Sequence, residues 1–431
     1  MERKVVDMGT YNFCELFSSN NMTELLTINC LADWRQAKEG SRLFLPPIQR
    51  SVVWSNEQVI NYWDSLLRGY SAGMMLVHRV KKGESAASYN GRDADGVTLD
   101  ANEKDFQLFD GQQRMAAVLL GLDKGQMKGG RKLWVDLGTE PKKTNDLMFQ
   151  LRMTSTGQPF GYKPDEPNQK IDLGKRQVEW KKWLEKHPGS GTPRRAFTDA
   201  TGRELIDAKC AIPFASVCNS LREKKDCDAI IAELSKLEGA SESLVDKFVR
   251  KLEEALESQV ILQQVDSKIV ADQEEYIRFF TRLGQGGTRL SDDELTYSII
   301  KHQYPRIHDR MKEIMCQGGR LAGEVDLVLA ALRVAKTTAR WDNAKEWEVV
   351  SRPNPAFVFQ LKDKGQVLSE FLAMIPQENQ PAKLKKALIR VRKALSYDVK
   401  KPSKGLPAVL LARLPHELID VLILFAVKRG C

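Results

Sequence analysis

The chain has 431 residues, 42% of them hydrophobic and 29% charged, with a formal charge of +9 and a pI near 9.0. This balance excludes a disordered chain and a small stapled module, and the length suits two or three domains, each with its own core. The basic excess favours an anionic partner, because clustered Lys and Arg gain free energy by releasing counterions from a polyanion.

Met1-Glu2-Arg3-Lys4-Val5-Val6-Asp7 lacks the apolar stretch of a signal peptide, and no run approaches the roughly 18 apolar residues of a membrane span. A cytoplasmic protein without a membrane segment is expected. The seven cysteines, at 14, 30, 210, 218, 227, 316 and 431, contain no C-x-x-C pair, and an odd count does not describe a disulfide framework. They read as reduced thiols rather than as a zinc site.

In chain order, Leu45-Pro46-Pro47-Ile48-Gln49-Arg50 is an extended segment, since proline excludes helix and biases its neighbour toward an extended backbone. Ser55 then caps a helix with Val59, Tyr62, Trp63, Leu66 and Leu67 on one face, and Gly69 ends it. Strands are expected at Met74 to Val80, Phe106 to Phe109 and Leu133 to Leu137, with a helix from Gln113 to Leu122. Lys81 to Glu103 reads as a long loop, and Gly161 to Asp199 as polar, with an exposed basic loop at His187 to Arg195. Glu223 to Ser258 reads as helix, and Val260 to Val265 as a strand returning to the sheet before a helix from Asp272 to Arg282. Helices then follow at Asp292 to Lys301, Glu324 to Lys336, Lys364 to Ile375, Ala382 to Ala394, and Pro407 to Lys428 in two pieces around Pro415. The fold class expected is α+β followed by an α-helical domain.

Asp110-Gly111-Gln112-Gln113-Arg114 lies between a strand and a helix, so backbone N–H groups and the positive helix end stand beside Arg114. Glycine permits close backbone approach, Arg114 can bind phosphate oxygens in bidentate fashion, and Asp110 can hold Mg²⁺ or orient water. The plainer alternative has Asp110 capping the helix, Gly111 making a turn and the remaining side chains solvated.

Two further segments stand in order with it: Pro46-Pro47-Ile48-Gln49-Arg50 with Val53-Trp54, Gln58-Val59 and Leu67-Arg68-Gly69-Tyr70, and later Phe280 to Leu295, containing Gly286-Gly287-Thr288 and Ser291-Asp292-Asp293-Glu294. Together they resemble the ParB/sulfiredoxin-like domain of unknown function at the N-terminus of GmrSD-type restriction enzymes, which is also found in SspE-type and BrxU-type phage-defence proteins. The resemblance covers about residues 40 to 310 in segments. It implies a ParB/sulfiredoxin-like N-terminal core, a nucleotide site at Asp110, Gln112, Gln113 and Arg114 with Gly111, Gln49 and Arg50 lining the same cleft, and coupling to recognition of modified DNA. The family's usual Asn in the Gly-Gly segment is replaced by Gly284.

Ser291 and Glu294 have the spacing of a capping box. Leu151 to Gly161 resembles a T-x-x-x-P-x-G segment of one family branch, a strand ending in a turn. No His-Asn-His nuclease signature is found: His302-Gln303-Tyr304-Pro305 follows the capping-box helix, and His302, His308 and His416 read as surface or helix-end histidines. The helix over 382–394 places Leu384, Leu388, Val391 and Leu395 on one face and Lys383, Lys386, Arg390 and Lys393 on the other. That stripe, with Arg194 and Arg195, is the candidate DNA contact; a solvated helix face explains it equally well. Trp180 and Trp183 read as local core, with base stacking as the alternative.

The domains expected are a core over 1–150, an inserted lobe over 151–259, a returning strand and Gly-Gly segment over 260–310, and a helical domain over 311–431. The function expected is a nucleotide-dependent sensor that uses Mg²⁺ and a nucleoside triphosphate, binds DNA, and controls a nuclease in a partner chain or further domain; a homodimer is compatible with it. The alternatives are a non-enzymatic DNA-binding module and a metal-dependent nuclease using the same cleft.

Overall fold

A computed structural model describes residues 13–17, 22–37, 40–46, 54–81, 90–92, 98–124, 130–142, 146–186, 188, 205–223, 226–285, 291–304, 306–318, 321–341, 350–375, 382–397, 405–406, 408–411 and 414–428. Its strands are β1 (Thr23–Thr27), β2 (Leu43–Phe44), β3 (Met74–Arg79), β4 (Asn90–Arg92), β5 (Thr98–Asp100), β6 (Phe106–Asp110), β7 (Lys132–Asp136), β8 (Gln150–Thr154), β9 (Ala211–Pro213) and β10 (Gln259–Gln264). They form a five-stranded sheet in the order β1-β10-β3-β6-β2, a three-stranded sheet β8-β7-β9, and the hairpin β4-β5. The returning strand is therefore real: β10 enters between β1 and β3, antiparallel to the first and parallel to the second.

Alternation along the strands explains how the large sheet is covered. Leu26, Val260, Leu262, Met75, Val77, Phe106 and Leu108 are buried on one face. Against them pack α1 (Ile28–Gln36) through Leu31 and Trp34, α2 (Asn56–Leu67) through Val59 and Trp63, and α3 (Gln112–Gly121) through Met115 and Val118. After β8 the chain forms α4 (Leu173–Lys186), α5 (Phe214–Arg222), α6 (Cys227–Leu234) and α7 (Glu242–Leu256); Phe214 of α5 and Phe248 and Leu252 of α7 join the same core. On the other face Phe109 joins a second core with Tyr276 and Phe280.

That second core belongs to the helices after the sheet. They are α8 (Ser267–Ala271), α9 (Gln273–Gln285), α10 (Asp292–Gln303), α11 (Ile307–Gly318), α12 (Glu324–Trp341), α13 (Pro355–Phe359), α14 (Gly365–Met374), α15 (Lys383–Leu395), α16 (Ala408–Leu411) and α17 (His416–Lys428). The fold is thus mixed α/β, with sheets in the N-terminal part and a helical C-terminal part, as expected. Phe109 is where β6 touches both layers.

Two local expectations need correction. The long loop at 81–103 contains the β4-β5 hairpin, and the polar stretch at 161–199 contains α4, held by Trp183 against Phe160, Ile171 and Ile206. The basic loop expected at 187–195 lies outside the described residues except Pro188. The helical stretch expected at 223–258 is carried by two helices, α6 and α7, separated by turns. The strand expected at Leu133 is present as β7, which pairs with β8 and β9.

Candidate functional site

The approach to the Asp110–Arg114 turn begins at α2, where a capping box fixes the start. The Ser55 hydroxyl accepts from the Gln58 N–H at 3.3 Å, and the Gln58 Oε1 accepts from the Ser55 N–H at 2.9 Å. The preceding residue, Trp54, is held at both ends of its backbone. Its N–H donates to Gln113 Oε1 at 3.1 Å, and its carbonyl accepts from Arg131 Nη1 at 2.9 Å. Gln113 therefore ties the first turn of α3 to Trp54, four residues after the Pro-Pro-Ile-Gln-Arg segment. Gln49 and Arg50 themselves lie outside the described residues.

The turn needs glycine for two separate reasons. Gly111 has φ +97°, in the left-handed region, and a Cβ there would stand 2.6 Å from Met75 Cγ. Gly111 is the N-cap of α3 and supplies no side-chain cap, so the reading of Asp110 as the cap does not hold. Asp110 instead pairs with Arg114 at 3.0 Å, one helical turn on. Its carboxylate side chain is 50% exposed and the Arg114 side chain 24%, so both reach solvent at the end of the sheet.

Gly73 leaves room for that guanidinium: a Cβ at this position would lie 2.5 Å from Arg114 Nη1. Tyr62 stands close by, its hydroxyl donating to the Ala72 carbonyl at 3.2 Å. Burial pushes the Tyr62 phenol up to about 12, with the Arg114 charge opposing, so it stays protonated at neutral pH. Gln112 is buried. Of the four expected catalytic side chains, Asp110 and Arg114 thus come together at the surface, Gln113 serves a backbone clamp, and Gln112 faces the interior.

Among the described residues no group of three or more His, Cys, Asp or Glu gathers in a metal-binding arrangement. Mg²⁺ at phosphate sites commonly takes one or two carboxylates and completes its shell with water and phosphate oxygens. The half-exposed Asp110 fits that mode.

The Gly-Gly segment ends in the expected capping box: Ser291 Oγ accepts from the Glu294 N–H at 3.2 Å, and Glu294 Oε2 accepts from the Ser291 N–H at 2.9 Å. Gly286 and Gly287 lie outside the described residues, and Gly284 falls in the last turn of α9. Asp293, one residue inside the box, reaches Arg352 at 2.6 Å. Arg352 also approaches Asp420 at 3.4 Å, and Arg333 holds Asp420 at 2.8 Å. Burial raises the Asp420 pKa and the two guanidiniums oppose it. This network links α10, α12 and α17; single charges far apart in sequence carry no periodic signal that could have announced it.

His302 is a buried helix-end residue and not a surface one. It stacks on Tyr276 with ring centroids 4.6 Å apart, and burial, reinforced by Lys362, lowers its pKa to about 4. The amphipathic stripe on α15 is as expected: Leu384, Leu388 and Val391 are buried, and Lys383, Lys386, Arg390 and Lys393 are exposed. Lys383 and Lys385 are paired, with Glu370 at 3.1 Å and Glu313 at 3.7 Å. Arg194 and Arg195 lie outside the described residues.

The family model for the N-terminal domain of the GmrSD restriction endonuclease matches residues 31–301. The chain belongs to this family. The matched span takes in the Asp110–Arg114 turn, β10 and the capping-box helix. No curated protein matches the chain. Among the described residues, no helix is long and apolar enough to cross a membrane.

Proposed function

We propose that the chain is the nucleotide-using, DNA-sensing component of a GmrSD-type restriction or phage-defence system, built on a ParB/sulfiredoxin-like core. The Asp110–Arg114 turn takes the phosphates of a nucleoside triphosphate, and cleavage of DNA, probed for its modification, is left to a nuclease domain or partner chain. One observation carries this reading. Arg114, partly exposed and paired with Asp110, reaches solvent at a glycine-lined turn, where the start of α3 has no side-chain cap and Gly73 leaves space beside the guanidinium.

Physically, an uncapped helix start and an arginine fork stabilise the same ligand charge, because both present N–H donors to anionic oxygens. Asp110 holds Arg114 in place before the ligand arrives and supplies one carboxylate for Mg²⁺, which when bound neutralises phosphate charge. Gln113 keeps the turn in register with Trp54. DNA contact is assigned to Lys383, Lys386, Arg390 and Lys393, which share the exposed face of α15.

A second reading, DNA binding without turnover, is favoured by the interior position of Gln112 and the engagement of Gln113. Mg²⁺-dependent phosphate release from ATP, GTP, CTP and UTP, with unmodified and modified DNA, separates the two. The proposal expects release by the native chain and its loss in Arg114→Ala. No release from the native chain in any condition leaves the binding module, and DNA cleavage that Arg114→Ala removes would identify the cleft as a nuclease.

A further inference from the structure

A second basic cluster, on α12 and the turn into α14, was not legible as a stripe. Lys336 and Arg340 stand one turn apart near the end of α12. Lys362 and Lys364 flank Asp363 in the short turn leading into α14, whose N-cap is Lys364. The Lys336 ammonium sits over the Phe357 ring, 4.6 Å from its centroid, and the Lys364 ammonium approaches the same ring at 5.4 Å. Phe357 also packs against the helical core.

Among the described residues, none of these four cations makes an ion pair, and Asp363 between two of them makes none either. On α15, by contrast, Lys383 and Lys385 are each neutralised by a glutamate. The charges around Phe357 act on one another: burial lowers the Lys336 pKa, and Arg340, Lys364 and Arg333 lower it further. Such a cluster costs the isolated fold stability through repulsion, so an internal structural role is a poor account of it.

Helix ends do not remove the excess. The negative end of α12 carries roughly half a charge and acts over about its last turn, which accommodates Arg340 but not the rest. The start of α14 has no side-chain cap and adds positive potential beside Lys364. The cation–π attraction to the Phe357 ring holds an ammonium in place without discharging it.

We propose that Lys336 and Lys364 on Phe357, with Arg340 one helical turn from Lys336 and Lys362 two residues before Lys364, form the surface on which the helical part of the chain holds the phosphate backbone of duplex DNA. The inference rests on the reading that this chain contacts DNA, and it moves the main contact from α15 to the junction of α12, α13 and α14. Phe357 is a positioning residue: its ring carries ammonium groups and so presents them to phosphates, not to a base.

The test is fluorescence anisotropy of a short labelled duplex across a salt titration. It compares the native chain with Lys336→Gln/Arg340→Gln/Lys362→Gln/Lys364→Gln, and with Lys386→Gln/Lys393→Gln on α15. Removing one phosphate-neutralising charge lowers the slope of log K against log salt by about 0.9, so the fourfold variant is expected to drop by about three to four units of slope. Its melting temperature is expected to stay level or rise, since repulsion is relieved. Should that variant fail to fold, Lys362→Gln/Lys364→Gln alone is expected to drop by about two units.

An unchanged slope in a folded variant, with native binding intact, overturns the patch and leaves the DNA reading standing; so does a slope reduced only in the α15 pair. No DNA binding by the native chain sinks both. Titration with a fluorescent nucleoside triphosphate gives the remaining arm: equal nucleotide binding by native and fourfold variant supports a DNA surface. Loss of nucleotide binding with DNA binding retained assigns the patch to free nucleotide phosphate and overturns it.

Discussion

Replacing Gly111 by alanine separates the two reasons for glycine at the turn. The residue sits at φ +97°, where a side chain costs about 1–2 kcal/mol, and its new Cβ would lie 2.6 Å from Met75 Cγ, a clash costing roughly 1–3 kcal/mol. Methionine can shift, which trims the second contribution, so Gly111→Ala is expected to destabilise the sheet core by about 2–4 kcal/mol. In a Met75→Ala background the clash is gone and only the backbone cost of about 1–2 kcal/mol remains, giving a favourable coupling in the double-mutant cycle. Equilibrium urea denaturation followed by circular dichroism reads this, each transition being fitted separately because the chain has two large cores. The same cost in both backgrounds would refute the steric argument. A cost below about 0.5 kcal/mol in the native background would refute the left-handed conformation as well.

Asp420→Ala leaves Arg333 without its carboxylate while Arg352 keeps Asp293, and a loss of about 3 kcal/mol, the low end for a broken buried pair, is expected in urea denaturation. His302 gives a pH signature. Its pKa is about 4 in the fold against 6.5 when unfolded, so the unfolded chain binds the proton first as pH falls. The stability tied to this residue is fully present above pH 6.5 and is lost progressively between 6.5 and about 4, on the order of 3 kcal/mol in total. In His302→Gln the denaturation midpoint should fall less steeply across that window, and an unchanged slope would contradict the buried neutral imidazole.

The best-read parts of the sequence were those whose local signals agree with the packing. Ser55 with Gln58 and Ser291 with Glu294 declare helix starts, and both capping boxes are present. Val260 to Val265 reads as a strand returning to the sheet, and β10 does so between β1 and β3. Missed elements had weak or divided signals. α4 buries only Trp183 through an otherwise polar surface, so it carries no broad apolar stripe. The β4-β5 hairpin has strands of three residues, too short for period-two alternation to stand out.

At the site, strand, turn and helix were legible around Asp110, but the fate of each polar side chain was not. Nothing in the spacing says that Gln113 will bind the Trp54 backbone or that Gln112 will turn inward, because both depend on where α2 and the sheet place their partners. The cluster around Phe357 was hidden for the same reason: Lys336 and Lys364 are brought to one ring by the packing of α12 against α14, across 28 residues of chain.

The central claim is that Arg114 and the start of α3 receive nucleotide phosphates. Isothermal titration calorimetry of a non-hydrolysable nucleoside triphosphate with Mg²⁺ into the native chain and Arg114→Ala tests it without depending on turnover. Saturable binding by the native chain, weakened at least about tenfold in Arg114→Ala by removal of a charge-assisted hydrogen bond worth roughly 1.5–3 kcal/mol, is the predicted result. Equal affinity in the two proteins would contradict it.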